Sequence, residues 1–198
     1  MNRPPNQLAL NVDFNGAAAV IRFARPRERN PLSLATLTEL ENALAILFPR
    51  KDLKAIIFTG TDDVFCAGAN LREVAALTPE TAPAFARRGQ QLFESIAAAP
   101  PLTIAAVNGY CLGGGFDLAL SCKIRVAAPE AVFAHPGVNL GIITGWGGTQ
   151  RLTKLIGPTR ALDLLFTGRQ VSAQEALFLG LIQSIGSPAL AQALTLVI

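Results

Sequence analysis

Apolar residues along the chain form short continuous runs that alternate with longer stretches of helical spacing. Two early runs, residues 8–12 and 18–23, predict a hairpin that turns at Asn15-Gly16. Three further runs, at residues 55–58, 103–107 and 123–127, predict buried strands.

Helical spacing of apolar residues predicts the elements between these strands. Residues 33–48 carry one leucine stripe, which Pro49 ends, formed by Leu34, Leu37, Leu40, Leu44 and Leu47. A second helix is predicted over 79–98, with its apolar side formed by Phe85, Leu92, Phe93 and Ile96. Shorter helices are predicted over 149–156, 159–166 and 172–179, and the last opens with the capping-box pair Ser172 and Glu175. This alternation indicates α/β crossover units.

Composition excludes several classes of protein but does not identify a reaction. The 198 residues are 51% hydrophobic and 16% charged, which predicts one compact domain with an ordered interior. The net charge of +3 is scattered, so we expect no DNA partner. Three cysteines with one histidine and no CxxC pattern exclude a disulfide framework and a zinc site. No apolar leader or membrane-length run occurs, so we expect a cytoplasmic protein with no membrane partner.

The most informative segment is the glycine-rich stretch of residues 108–115, which reads NGYCLGGG. It follows the predicted strand 103–107 and precedes a predicted helix that starts near Phe116. Bare backbone N–H groups at the start of a helix attract negative charge. Since no lysine stands beside these glycines, the anion that fits best is the oxygen of an activated thioester.

A second glycine-containing loop, residues 64–71, also follows a predicted strand and precedes a helical segment. If the two preceding strands are neighbours, both loops open at one edge of the sheet, where ligands of α/β folds bind. One N–H from each loop then converges on one oxygen. Small residues such as Ala67 and Gly113 let an acyl group approach the backbone. The alternative is that the glycines only permit tight packing of helix on strand.

Three motifs in this order resemble the enoyl-CoA hydratase/isomerase (crotonase) superfamily: FCAGAN at 65–70, NGYCLGGG at 108–115 and GWGGTQRL at 145–152. The resemblance covers residues 8 to 186 and implies an α/β fold, a spiral of ββα units that binds acyl-CoA. It divides the chain into a core over 1–186 and the start of a shortened C-terminal helical region over 187–198. It also implies a homo-oligomer, a trimer or hexamer, although the short C-terminus departs from the family pattern.

By this resemblance, the backbone N–H groups of Ala69 and Gly114 form an oxyanion hole. Hydratases of the family add two glutamates for proton transfer, and this chain departs from that pattern at both positions. Asp117 matches the first, and Gly137, which has no side chain, matches the second. Asp117 is therefore the candidate acid/base. An equal alternative is that Asp117 only stabilises the start of the helix, where the helix dipole favours a carboxylate.

His135, the single histidine, stands two residues before Gly137 and is a second candidate base. A hydrogen-bonded structural role is the favoured interpretation for a lone histidine before proline. Trp146 is expected to pack over the acyl pocket or in the core. Cys66 is expected to be a small buried residue rather than a nucleophile.

The remaining candidate residues are expected to bind substrate. By resemblance, the cations expected to contact the CoA phosphates or adenine are Arg25, Arg27 and Arg72. The alternative is that these arginines are surface residues solvated by water. Residues expected along the acyl group are Ala67, Asn70, Leu71, Gly113, Gly137 and Trp146. No cofactor is expected, because coenzyme A is part of the substrate.

The leading hypothesis is reversible addition of water to a 2-enoyl-CoA. A sister activity (isomerase, decarboxylase, hydrolase or synthase) is the alternative, because the second carboxylate is missing at Gly137. A third interpretation is a CoA- or RNA-binding protein that retains the fold without turnover. The intact oxyanion motifs and the absence of a basic stripe argue against it.

Overall fold

Strands and helices alternate through residues 8–197, the part of the chain that this computed structural model describes. The strands are β1 Leu10–Asn15, β2 Ala18–Phe23, β3 Pro31–Leu32, β4 Ala55–Thr59, β5 Val64–Cys66, β6 Gly68–Ala69, β7 Leu102–Val107, β8 Tyr110–Leu112, β9 Ile124–Ala127, β10 Val132–Ala134, β11 Val171–Ser172 and β12 Ser184–Ile185. The helices are α1 Leu34–Leu47, α2 Leu71–Ala75, α3 Ala82–Ala97, α4 Gly114–Ser121, α5 Gly148–Ile156, α6 Pro158–Thr167, α7 Ala173–Phe178 and α8 Ala189–Leu194. Short 3-10 turns cover Pro26–Glu28 and Pro136–Leu140.

Successive units of the chain each give one strand to each of two sheets. The larger sheet has the order β1-β2-β4-β7-β9-β12, parallel except for the β1–β2 hairpin. The second sheet has the order β11-β10-β8-β5, and β3 pairs with β6 beside it. The consecutive strands β4 and β5, β7 and β8, and β9 and β10 each contribute one strand to the larger sheet and the next to the second sheet. A helical segment follows each of these units. This is the spiral of ββα units that the motifs implied.

The larger sheet is apolar on both faces because both are covered. Along β2, Ala19 and Ile21 face the main core, while Ala18 and Val20 face a second cluster. This alternation follows from the two-residue period of a strand. Helix α8 covers the second face, and its Ala189 and Ala193 are buried there. The predicted boundary between 186 and 187 stays a prediction, and residues 1–7 and 198 lie outside the described residues.

The predicted helices are confirmed to within a few residues. Helix α1 begins after Ser33, whose hydroxyl accepts the N–H of Thr36, and four leucines of its predicted stripe are buried. Leu34 is the exception: it lies in the first turn and is exposed. At α7, Ser172 caps the N–H of Glu175 as predicted. Glu175 itself binds Arg169 instead of closing a capping box.

Several details of the strand predictions are wrong. The first strand is shifted to Leu10–Asn15, and the pairing of Asn15 with Ala18 places the turn at Gly16-Ala17. The stretch 108–115 is not one continuous loop, because β8 lies within it and helix α4 already begins at Gly114. The loop predicted over 64–71 likewise contains β5 and β6. Strand β8 pairs with β10, which the sequence pattern also missed. No helix among the described residues is long and apolar enough to cross a membrane.

Candidate active site

The two glycine loops meet at the ends of neighbouring strands. Strands β4 and β7 are parallel neighbours, as expected, and so are β5 and β8. A Cβ atom built on Gly68 would lie 2.7 Å from the nitrogen of Gly114, and one built on Gly114 would lie 3.4 Å from the nitrogen of Ala69. The loops therefore approach so closely that only glycine fits at 68, where φ is also positive (94°).

Helix α4 directs the positive end of its dipole into this junction. Its first residue is Gly114, and the first N–H groups of a helix have no acceptor within the helix. Gly113 holds the turn in place, because its N–H donates to the carbonyl of Ala134 at 2.9 Å. The backbone of Ala69 and that of Gly114 thus present polar groups at one point, beside a positive helix end.

A cavity of about 330 Å³ opens beside this junction. Nine of the candidate site residues line it: Ala67, Ala69, Leu71, Gly113, Gly114, Asp117, His135, Gly137 and Trp146. Most of the remaining wall is apolar and comes from α2, α3, the loop between them and the segment before α5: Val74, Leu77, Ala82, Phe85, Ala86, Leu140, Ile142 and Ile143. Asp117 is the one carboxylate among these lining residues.

Asp117 lies in the first turn of α4 and is 1% exposed. Burial raises its pKa from 3.8 to about 7, although the hydroxyl of Thr144 and the backbone of Trp146 favour the charged form. Thr144 donates to Oδ2, and Oδ1 has no hydrogen-bond partner among the described residues. A buried carboxyl of a residue that lines the cavity, with a pKa near neutral pH, is suited to proton transfer.

His135 lies beside this carboxyl and is 4% exposed. Its Nε2 is 3.5 Å from Asp117 Oδ1, with no hydrogen bond between them, and its ring stacks on Phe116 at 4.8 Å between centroids. Burial lowers its pKa from 6.5 to about 4, so the imidazole is neutral at pH 7. Neither ring nitrogen has a hydrogen-bond partner within residues 8–197, so the hydrogen bond expected for a structural histidine is not found there.

Thr144 is the site residue that the sequence did not reveal. Its hydroxyl reaches Asp117 from 27 positions further along the chain, and it lies on the cavity wall. A threonine in a glycine-rich loop carries no signal of its own. Its position directly before the motif at 145–152 is the only feature that could have drawn attention to it.

Gly137 leaves no open space where a second carboxylate would stand. A Cβ atom there would lie 2.9 Å from the carbonyl oxygen of Ile142, whose N–H donates to the Gly137 carbonyl at 3.0 Å. Any side chain at 137 would therefore require the backbone of this turn to move. The second proton-transfer group of the two-glutamate pattern is absent, and the local structure has closed over its position.

The four other candidates, Arg25, Asn70, Arg72 and Arg27, do not line the cavity. Asn70 caps α2, with its side chain accepting the N–H of Arg72 at 3.0 Å. The guanidinium of Arg25 lies 3.9 Å from Glu39, and the side chains of Arg27 and Arg72 face solvent. Their roles toward CoA stay predictions.

The cysteines behave as core residues. All three are buried and free, and burial raises the pKa of the Cys66 thiol to about 12. A thiol that stays protonated is a poor nucleophile. Between residues 8 and 197, no group of three or more His, Cys, Asp or Glu side chains is placed to hold a metal ion.

Comparison with known proteins points in one direction. The family model described as enoyl-CoA hydratase/isomerase matches residues 13–193. A crotonyl-CoA hydratase of Syntrophomonas wolfei is 40% identical over 171 residues, covering 86% of this chain and 66% of the relative. A short-chain-enoyl-CoA hydratase of Clostridium acetobutylicum is 37% identical over 178 residues, covering 89% and 68%. This chain thus spans about two thirds of the length of these relatives.

A solved structure supports the same relation. The enoyl-CoA hydratase of Bacillus anthracis superimposes with a TM-score of 0.91 at 37% sequence identity, over 96% of this chain and 75% of that one. The fold expected from the motifs is confirmed by this agreement.

Proposed function

The chain belongs to the enoyl-CoA hydratase/isomerase family, and from that premise we propose that it adds water reversibly to the double bond of a 2-enoyl-CoA thioester. The observation that carries the proposal is Asp117, a buried carboxyl with a pKa of about 7 on the wall of the acyl-sized cavity. It stands three residues beyond Gly114, where the two loops meet. A proton-transfer group and a positive helix end therefore share one site.

The thioester oxygen would be held by the N–H groups of Ala69 and Gly114. When water attacks C3 of the enoyl group, the electron pair of the double bond moves onto this oxygen and forms an enolate. Preorganised donors stabilise that charge, and removal of one such donor in other enzymes costs about 3–4 kcal/mol. The close approach of the two loops supports this assignment.

Asp117 would act first as base and then as acid. Its carboxylate takes a proton from the attacking water while oxygen bonds to C3, and then returns a proton to C2 as the enolate collapses. The sum is addition of one water molecule across C2 and C3. A pKa of about 7 suits both steps, because the group gains and loses a proton with similar ease at neutral pH.

His135 takes the place of the missing second carboxylate in this proposal, as an orienting group. Its Nε2 and the Oδ1 of Asp117 both lack hydrogen-bond partners among the described residues and lie 3.5 Å apart, so a proton held between them would join the imidazole to the carboxyl. Thr144 holds the other oxygen of Asp117, which directs Oδ1 toward His135. No cofactor enters this scheme, since the chain's own groups carry the proton.

The CoA moiety is proposed to bind outside the cavity through Arg25 and the exposed Arg27 and Arg72. Cytoplasmic location and assembly into a homo-oligomer remain predictions from the sequence. Fractionation of the producing cells and light scattering of the purified protein test these two points.

The first experiment is turnover of crotonyl-CoA by the purified protein, followed as loss of the conjugated enoyl-thioester absorbance. Hydration to 3-hydroxybutyryl-CoA is the expected result. Binding of crotonyl-CoA without any hydration would reject the proposal. In that case exchange of substrate C–H for deuterium from the solvent would reveal single-base chemistry instead.

Asp117→Asn gives the corresponding mutational test. The amide cannot accept a proton, so we expect the rate to fall by at least about a hundredfold while the affinity for crotonyl-CoA changes little. Asn139→Ala is the matched control, since this loop amide lies outside the cavity lining. Unchanged turnover by Asp117→Asn would remove Asp117 from the mechanism.

A further inference from the structure

Trp146 occupies the space between the junction of the glycine loops and helix α3. Its ring is 3% exposed and lines the cavity. A Cβ atom built on Gly114 would lie 2.7 Å from its Cζ3, so the six-membered ring meets the junction directly. On the opposite edge, a Cβ atom built on Gly89 would lie 2.2 Å from Nε1. The indole therefore spans the whole gap from Gly114 to Gly89.

Gly89 lies inside α3, where a glycine is normally unfavourable compared with alanine. Here the missing side chain of Gly89 leaves the space that the indole edge occupies. Two aromatic neighbours on the same helix hold the ring: Phe85 at 5.3 Å and Phe93 at 5.6 Å between centroids, the latter edge to face. Close packing on several sides leaves the ring little freedom to swing away.

The backbone of Trp146 is fixed as firmly as its ring. Gln90 of α3 donates to the carbonyl of Gly145 at 2.8 Å, and Arg151 of α5 donates to the carbonyl of Trp146 at 3.0 Å. These bonds attach the residue to both helices. An acyl group in the cavity consequently meets a rigid wall on its α3 side.

We propose that Trp146, seated on Gly89, is the specificity-determining residue that closes the acyl cavity toward Gly89 and Phe93 and limits the length of the acyl chain. The inference rests on the proposed function only in that the cavity binds the acyl part of a CoA thioester. Each additional methylene that becomes buried increases the affinity about fourfold. A chain that is stopped by the indole gains nothing from further methylenes, whereas a smaller residue at 146 lets that gain continue.

The test measures binding of saturated acyl-CoAs, which need no turnover. Affinities for butyryl-, octanoyl- and dodecanoyl-CoA are determined by calorimetry for the wild type, Trp146→Ala and the milder Trp146→Phe. We expect the preference for octanoyl- over butyryl-CoA to rise at least about tenfold in Trp146→Ala and by a smaller factor in Trp146→Phe. Gly89→Ala, which forces the indole toward the cavity, should change the preference in the opposite direction.

Leu152→Ala is the matched control, because Leu152 is a fully buried residue of α5 that does not line the cavity. It should lower stability without changing the chain-length preference. Preferences that are the same in wild type and in the folded Trp146→Phe protein would overturn this inference alone. Failure of the wild type to bind any of the three acyl-CoAs would overturn the proposed function as well.

Discussion

At the scale of single residues, burial shifts two neighbouring groups in opposite directions. Removal from water disfavours the charged form of each, so the pKa of Asp117 rises to about 7 and that of His135 falls to about 4. The result at neutral pH is a neutral imidazole beside a carboxyl close to half-ionised. The hydroxyl of Thr144 opposes the shift of Asp117, because a donor to a carboxylate stabilises its charged form.

Replacing Thr144 by valine should therefore raise the pKa of Asp117 further. A hydrogen bond to a charged group contributes about 1.5–3 kcal/mol, which corresponds to a shift of one to two pH units. Since the carboxylate is the form that accepts the proton of water, the rise of kcat/KM with pH should move upward by about that amount. The pH profile of crotonyl-CoA turnover measures this shift.

The control for this profile is Thr153→Val, whose hydroxyl donates within α5 to the carbonyl of Thr149. It should leave the midpoint of the profile in place. An unshifted midpoint in Thr144→Val would show that Thr144 does not position or tune Asp117.

At the scale of elements, α4 can start at the junction only because it lies very close to strand β5. A Cβ atom on Gly115 would lie 2.2 Å from the carbonyl oxygen of Cys66, and backbone cannot yield as a flexible side chain does. Most of α4 is buried, including Phe116, Leu118 and Ala119. The position of Asp117 thus follows from the packing of a whole helix on the second sheet.

Gly115→Ala should destabilise the protein by about 1–3 kcal/mol, because the added methyl overpacks this contact. Gly145→Ala is the matched control, since a Cβ atom there meets no atom within 4 Å. Urea unfolding of both variants gives the comparison. Equal stabilities would show that α4 tolerates displacement from β5.

At the scale of the whole molecule, Asp117 and His135 make opposite contributions to stability against pH. For Asp117 the folded-state pKa is raised, so its contribution is present at low pH and is lost as pH rises from about 4 to about 7. For His135 the folded-state pKa is lowered, so stability is lost as pH falls from 6.5 to about 4. In the wild type the two contributions offset each other over this window.

Single variants should separate the stability contributions of Asp117 and His135. Relative to wild type, Asp117→Asn should gain stability as pH rises from 4.5 to 6.5, because only the His135 contribution remains. His135→Gln should lose stability over the same interval, and each difference is on the order of a few kcal/mol. Urea unfolding at the two pH values measures both. Parallel pH dependences for all three proteins would contradict the assigned shifts.

The surface of the molecule carries large apolar side chains that support the predicted assembly. Leu162 and Phe166 lie one turn apart on α6 and are 50% and 73% exposed, and Phe178 at the end of α7 is 80% exposed. Exposed apolar side chains on successive turns of one helix, as on α6, are typical of interaction surfaces. We expect a trimer or hexamer by light scattering, and weaker assembly in Phe166→Glu. A monodisperse monomer at micromolar concentration would contradict this expectation.

The sequence by itself determined the features that depend on local order along the chain. Leucine spacing predicted α1, apolar runs predicted β4 and β7, and three motifs identified the family, because periodicity and glycine placement are properties of neighbouring residues. The same local order misplaced the hairpin turn by one residue and missed β8 and β10, short strands that exist only through pairing with distant partners.

Only the tertiary structure decided which residues contact one another in the site. It placed Thr144 on Asp117, left His135 without the expected hydrogen bonds, and seated Trp146 on Gly89 of another helix. It also showed the position of Gly137 to be closed by Ile142. These relations join residues far apart along the chain, and packing of helices on sheets sets their distances and their pKa values. No pattern of neighbouring residues contains that information.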